Sequence, residues 1–445
     1  MQGWRKGASR GATGPPVFGA IPTDRARVVF DTPPGNSGPA RYVAAIARAL
    51  DPSEFEVLLL DPAPGTGPAD AQKQPEKGGV GSPALDGADG APAGHRLIRA
   101  CKRAVPPLAK AWMGFAREAR RAARRIREAE PVDLFHTQNT GCEEMPVAAR
   151  LARIPSVLGT FHVDSTCDLE GARSGFTYRA LEWISNRCLH RAIAVSEATR
   201  RDWIARTGIP EHRVVTIHNG IDPERFCRKT SAGEARRRLG LPEDGQAVAG
   251  VGRLNAAKGF AYLIEALALL RQEFPKANVV LAGSGPLREK LESRAAALGL
   301  ADRVVFLGQC ADVDPVFDAA DVFVLPSLSE ALGFALLEAM AHELPAVGTR
   351  VGGVPEVLVP EETGFLVPPR DAAALAAALR PLLSSAELRS RMGQAGHQRV
   401  LQHFREDEMV RKTIDIYRQM LHNSRPCGGD RPRSIHGVGR SGGCR

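Results

Sequence analysis

The chain reads as an α/β protein built from two parallel sheets, each covered by helices on both faces. Three observations lead there. Twelve short apolar runs alternate with helical patterns along the sequence. Most of these runs are apolar at nearly every position, the mark of strands buried on both faces. They also fall into two series, separated by a polar stretch at 223–245 that contains Pro223, Gly233, Pro242 and Gly245. At 445 residues the chain has room for two or three domains. With 43% hydrophobic and 24% charged residues, each can bury a full core.

In chain order, the first series of strands is expected at 28–30, 57–60, 134–136, 157–160, 193–195 and 214–217. The second is expected at 247–251, 279–282, 304–307, 322–325, 346–347 and 365–367. Helical windows such as 261–273 lie between them, with apolar residues recurring at helical spacing. This divides the chain into a first Rossmann-like domain over 25–225 and a second over 226–403, with 404–421 as a final helix. Residues 61–95 are a Pro/Gly/Ala-rich stretch and read as a flexible loop inserted in the first domain. The ends, 1–24 and 422–445, are rich in Gly, Arg, Pro and Ser and read as disordered tails.

The formal charge of +9 is unevenly placed. Residues 96–130 carry nine Arg and two Lys against three Glu, both ends are basic, and the remainder is mildly acidic. The 96–130 segment reads as a helix, a break at Pro106 and Pro107, and a second helix. Phe115, Ala119, Ala122 and Ile126 share one face of the second helix, and Arg117, Arg120, Arg121, Arg124 and Arg125 cover the rest. Three readings stand: a solvated surface face, an interfacial helix on anionic lipid headgroups, or a phosphate-binding nucleic-acid surface. No aromatic residues interleave the arginines as stacking platforms, which counts against nucleic acid. No apolar stretch approaches 18 residues, and the first 24 have no apolar core of a secretory signal. None of the eight cysteines forms a CxxC pair. The expected location is cytoplasmic, at most peripheral on the inner face of the cell membrane.

In open parallel sheets, ligands bind beyond the C-terminal ends of the strands. Three motifs stand there in the second series. Gly252 and Arg253, followed by Lys258 and Gly259, come directly after a strand. Glycine admits a ligand close to the backbone, and an Arg fork with a Lys point charge suits a diphosphate. Gly283-Ser284-Gly285-Pro286 is a second strand-to-helix turn. The third motif runs from Pro326 to Ala341. It carries Glu330 in a loop, Gly333 near a helix start, and Glu338 eight residues beyond Glu330 among apolar neighbours. The two carboxylates are too far apart for one acid/base pair but could grip two ends of an extended ligand. The helix start between them suits an anion. An unpaired carboxylate at Glu338 would be costly.

Together with Phe306-Leu307-Gly308 and the run from Val351 to Glu356, this set resembles the retaining nucleotide-sugar glycosyltransferases of family 4, of the GT-B fold. The match covers 245–370 closely. A looser one extends over about 25–420, through Val195-Ser196-Glu197, His218-Asn219-Gly220-Ile221-Asp222 and Thr160-Phe161-His162. The resemblance implies two Rossmann-like domains facing a central cleft, the first on the acceptor side and the second binding the donor. The last helix crosses back to the first domain. It implies transfer of a sugar from a nucleoside diphosphate to an acceptor hydroxyl with retained configuration, with no cofactor and no metal. Arg253 and Lys258 then hold the donor diphosphate, Glu338 the ribose hydroxyls, and Glu330 lies near the donor sugar. Gly333, Phe334 and Ala335 meet phosphate or sugar, Leu307 lies beside the base, and His162 contacts the sugar from the first domain. Gly38, Gly252 and Gly283 belong to the donor-binding loops. A glycan or lipid-linked acceptor in cell-surface synthesis is expected. Contact with an anionic membrane through 96–130 goes with it, and no nucleic-acid partner.

Three positions depart from the family pattern. Pro39 stands beside Gly38 and removes a backbone donor, Leu332 replaces a Phe, and Glu343 replaces a Gly. Asp312-Val313-Asp314 mimics a metal-binding pair of acids but reads as a helix start. Two other functions use the same features: an epimerase of the same fold with the same nucleotide grip, and a non-catalytic basic binding protein.

Overall fold

The computed structural model describes residues 25–31, 37–60, 107–139, 144–162 and 176–424. The expected tail at 1–24, all of the expected 422–445 tail beyond Ser424, the inserted loop at 61–95 and the helix before Pro106 lie outside the described residues. The first lobe contains β1 (Ala26–Asp31), α1 (Gly38–Ala49), β2 (Phe55–Leu60), α2 (Pro107–Glu128), β3 (Leu134–Asn139), α3 (Glu144–Leu151), β4 (Ser156–Phe161), α4 (Phe176–Arg187), β5 (Arg191–Ala194), α5 (Glu197–Thr207) and β6 (Val214–Thr216). The second contains α6 (Ala232–Arg238), β7 (Gln246–Val251), α7 (Phe260–Leu270), β8 (Ala277–Ala282), α8 (Arg288–Ala297), β9 (Val304–Gly308), α9 (Asp314–Ala319), β10 (Val322–Leu325), α10 (Phe334–Ala341), β11 (Ala346–Thr349), α11 (Val354–Val357), β12 (Gly364–Val367), α12 (Ala372–Ser384) and α13 (Ala386–His403). The last helix is α14 (Glu406–Ser424).

Each lobe holds one six-stranded sheet, ordered β2-β1-β3-β4-β5-β6 and β12-β11-β10-β7-β8-β9. Every pairing is parallel. Both orders reverse direction after an inner strand, and that switch point is where such sheets open a ligand crevice. The continuous apolar runs have their expected cause: β4 and β8 are buried at every residue. Helices present apolar stripes to them, as α7 does with Leu263, Ile264, Leu267 and Leu270.

Three boundaries differ from the sequence reading. The polar stretch at 223–245, which separates the two series of strands, is itself folded: it contains α6, and Phe226, Ala235 and Leu241 are buried in the core of the second lobe. Ser231 caps α6, which accounts for the polar composition. The final helix starts at Glu406 and runs to Ser424, past the expected end at 421. Its buried residues Met409, Val410, Thr413, Ile416, Tyr417 and Met420 join the core of the first lobe.

The chain therefore crosses between lobes twice, and the crossings touch. Ile221 N donates to Phe404 O at 2.9 Å, and Glu406 N donates to Ile221 O at 2.9 Å. A Cβ on Gly220 would lie 2.2 Å from Arg405 O, so only glycine passes there.

Candidate active site

The loops beyond β7, β8 and β9 step across one another at the strand ends. Gly252 N donates to Ala282 O at 2.9 Å, and Gly283 N donates to Gly308 O at 2.7 Å. A Cβ on Gly283 would sit 1.9 Å from Gly252 O, so the glycine is a condition of this packing. Leu307 is the extra residue of a bulge: Leu281 pairs with Phe306 and Ala282 with Gly308. The loop after β7 then turns into a short 3-10 helix, Ala256–Lys258, and meets the loop after β10 where Leu328 N donates to Ala257 O at 2.7 Å. This contact brings Lys258 Nζ to 2.5 Å from Glu330 Oε2, which also accepts from Ser327 Oγ at 3.1 Å. Arg253 stands exposed at the start of the same loop.

Gly333, at φ +98°, turns the chain into α10. Glu338 lies in α10 with 2% of its surface exposed. Burial pushes its carboxyl pKa up, against the opposing pull of Arg41 first and Arg225 more weakly. Arg41 comes from the first lobe: its Nη1 pairs with Glu338 Oε1, and its Cζ stands 5.2 Å from the centre of the Phe334 ring. Beside it, a Cβ on Gly38 would be 2.6 Å from Phe334 Cδ2. The N-terminal turns of α1 and α10 thus meet across the lobes. Pro39 lies in the first turn of α1, where a helix loses nothing by the missing N–H.

His162 follows β4 at the end of the first sheet. Its Nε2 is 2.7 Å from Gln138 Oε1, which accepts and so assigns the proton to Nε2. Nδ1 is left as an acceptor, buried and with no partner among the described residues. Burial pulls the imidazole pKa down to about 3, so the ring is neutral. Gln138 is held in turn: its N–H donates to Asp31 Oδ1 at 2.6 Å, and Thr137 Oγ1 donates to Asp31 Oδ2 at 2.5 Å. Burial lifts Asp31 to about 7 despite these two bonds. The Tyr42 ring packs edge-on against His162 at 4.9 Å, one residue after Arg41.

Of the residues singled out from sequence, Gly252, Gly283, Lys258 and Glu330 form one contiguous group. Gly38, Phe334 and Glu338 form a second, joined to the first through Gly333, whose added Cβ would lie 3.5 Å from Glu330 Cγ. Ala335 is half-buried behind Phe334. His162 reaches the same region through α1. Arg41 was missed; the available signal was that a buried Glu338 requires a counter-charge. The Asp312-Val313-Asp314 run is a helix start, as expected: Asp312 Oδ1 accepts from Asp314 N, and Asp314 pairs with Lys229 Nζ. Among the described residues no group of three or more His, Cys, Asp or Glu is placed to hold a metal ion.

The fold and this inter-lobe arrangement define a two-lobed enzyme of the GT-B type, and comparisons place it further. The family model for group 1 glycosyl transferases matches residues 231–399, and that for glycosyltransferase family 4 matches 36–225. An uncharacterized glycosyltransferase of Methanocaldococcus jannaschii is 31% identical over 269 residues, 58% of this chain and 69% of that protein. A D-inositol 3-phosphate glycosyltransferase of Salinispora tropica is 36% identical over 252 residues, 53% of this chain and 52% of that protein. Among solved structures, Anabaena HepE with UDP and glucose superposes with a TM-score of 0.69 at 21% identity, covering 89% of this chain and all of that one. Sucrose-phosphate synthase of Thermosynechococcus elongatus does so with 0.69 at 23%, covering 90% of this chain and all of that one. The chain belongs to the family 4 glycosyltransferases and is a glycosyltransferase of GT-B fold.

Proposed function

We propose that the protein moves a sugar from a nucleoside diphosphate to an acceptor hydroxyl with retention of configuration and without a divalent metal. The observation that carries this reading is the contiguity of Lys258, Glu330, the Gly333 turn and Glu338 at the facing ends of the two sheets. The binding of UDP by the structural neighbour HepE agrees with a nucleotide-sugar donor. In this reading the ribose hydroxyls bond to Glu338, and the diphosphate lies at the N-terminus of α10 with Lys258 and Arg253 on it. Leu307 lines the base, and Gly38, Gly252, Gly283, Phe334 and Ala335 leave room for the donor. Glu330, neutralised by Lys258, accepts from the sugar hydroxyls, as does the Nδ1 lone pair of His162. As the glycosidic bond breaks, negative charge grows on the leaving diphosphate, and the two cations and the helix terminus stabilise it. The leaving oxygen then takes the acceptor's proton on the same face. The second lobe, over 226–403, carries the donor and the first, over 25–225, the acceptor.

Thermal shift with UDP-, GDP- and ADP-sugars tests the donor grip. One of them should raise the melting temperature, and none doing so sinks the proposal. Lys258→Ala should cut turnover about 10²–10³-fold, as loss of one such donor group does elsewhere, while melting where the parent melts. Turnover should persist in EDTA; a loss that Mg²⁺ restores would overturn the metal-independent mechanism.

The acceptor is proposed to be a glycan or lipid-linked intermediate met at an anionic membrane. Among the described residues no helix is long and apolar enough to cross a membrane. The helix α2 buries Ala119, Ala122, Ala123 and Ile126, and exposes Arg117, Arg120, Arg121 and Arg124 together with Met113. Trp183, on the neighbouring α4, is 45% exposed with Arg187 against its ring. Basic and apolar side chains exposed together suit an interfacial surface. Sedimentation should show binding to phosphatidylglycerol vesicles that salt reverses, and equal binding to neutral vesicles would remove the electrostatic part of this proposal.

A further inference from the structure

Glu338 is the carboxylate proposed above for the donor ribose, yet it already has a partner. That partner, Arg41, comes from the opposite lobe and, among the described residues, is the side chain that bonds to it. Arg41 is itself incompletely satisfied. Its Nε is buried and has no hydrogen-bond partner among the described residues. A guanidinium donates five hydrogens in a planar fork, and a buried one left unpaired is costly. The group lies over Phe334, the first residue of α10. The proposed diphosphate position, at the N-terminus of this helix, is therefore beside it.

We propose that Arg41 is an exchangeable counter-ion of the donor site: it holds Glu338 when the site is free, and gives Glu338 up to the ribose and takes the diphosphate when the donor binds. This rests on the donor reading above. Its physical logic is one of charge conservation. Buried Glu338 needs a cation or several hydrogen bonds at all times. The ribose hydroxyls supply the bonds on arrival, and the diphosphate, which the ribose brings with it, supplies the anion that draws Arg41 away. A nucleoside without phosphates offers the first half of the exchange and not the second. It must displace Arg41 from Glu338 and leave the guanidinium with nothing in return. Arg41 thereby discriminates diphosphates from bare nucleosides, and it adds a third cation to Arg253 and Lys258. Because Arg41 belongs to α1, the exchange also ties the first lobe to the occupied donor. Gly38 pressed against Phe334 keeps α1 close enough for both positions.

The test is calorimetric titration of the full chain and of Arg41→Met with UDP and with uridine, and with the ADP/adenosine and GDP/guanosine pairs in parallel. The exchange predicts a loss for the diphosphate and none for the nucleoside. Arg41→Met should weaken the diphosphate at least tenfold and leave the nucleoside unchanged or several-fold tighter, because its internal competitor is gone. Arg41→Lys, which keeps the charge without the fork, should recover part of the diphosphate affinity. Equal loss for both ligands would overturn the proposal in favour of a strut between the lobes, and so would unchanged diphosphate affinity. If the parent chain binds none of the three diphosphates, the donor reading itself fails and takes this inference with it. If Arg41→Met does not fold, Arg41→Lys still decides: it should lose diphosphate affinity and keep nucleoside affinity.

Discussion

Glu343 holds a backbone conformation that suits glycine. It follows α10 at φ +59°, and Leu344 N donates to Ala339 O at 3.1 Å, closing the helix with a left-handed residue. Such a conformation costs an L-residue about 1–2 kcal/mol. The Gly expected here from the family pattern is thus explained by geometry, and its replacement carries a local strain. Glu343→Gly should stabilise the chain by roughly 0.5–1 kcal/mol after the extra unfolded-state freedom of glycine is subtracted, read as a rise in urea midpoint. No change, or a fall, would mean that the Glu343 side chain contributes more than its backbone loses. The residues of the site follow another rule. Lys258 and Glu330 neutralise one another, as do Arg41 and Glu338, so these four charges are already compensated.

The final helix is held by buried polar contacts as well as by its apolar stripe. His136 is fully buried, with Nδ1 2.6 Å from Tyr417 Oη and Nε2 2.7 Å from Thr160 Oγ1. Tyr417 belongs to α14, so this bond fastens a helix reached from the second lobe to the sheet of the first. Tyr417→Phe removes only the hydroxyl and leaves a ring nitrogen without a partner. The expected cost is about 1–3 kcal/mol in denaturant unfolding, with the loss concentrated in hydrogen-exchange protection of α14. Uniform loss across both lobes would show that α14 is not held locally by this contact. In α2 the same division appears on a surface: Ala119, Ala122, Ala123 and Ile126 face the core, and Arg117, Arg120, Arg121 and Arg124 face outward, with Arg125 half-buried between them.

At the scale of the molecule, the lobes are joined by the paired crossings at Ile221 and by Glu356. The carboxylate of Glu356 accepts from Glu197 N at 2.9 Å and Ala198 N at 2.8 Å, at the start of α5, and lies 2.8 Å from His218 Nε2. These bonds and its desolvation act in opposite directions, and the net is a lowered pKa. Stability against acid is set further inside. Burial holds His136 and His162 neutral, with pKa values near 3 against the usual 6.5. Unfolding lets both take up protons, so their contribution is present above pH 6.5 and is lost as pH falls toward 3. Asp31 works the other way: raised from 3.8 to about 7, it contributes below pH 3.8 and loses that contribution as pH rises through 7. Between pH 6.5 and 4 the two histidines outweigh one aspartate, and melting temperature should fall with acidification. Asp31→Asn should steepen that fall, by at most about 1.4 kcal/mol per pH unit. An unchanged slope would show that Asp31 is ionised in the folded chain.

All twelve strands overlap the runs expected from sequence, most of them continuous and apolar, because a strand buried on both faces leaves its pattern in adjacent residues. The closeness of Glu330, Gly333 and Glu338 was legible for a similar reason, since one loop and one helix carry them. Arg41 was not, for it stands 297 positions from Glu338 and on the other lobe. Nor could local pattern show that the polar 223–245 stretch folds into the second core, or that Gln138 orients His162. Periodicity records which face of an element is buried. Which charge meets which, and which ring nitrogen stays open, follows only once distant strand ends are brought together, because hydrogen bonds and ion pairs act over a few ångströms of space rather than along the chain.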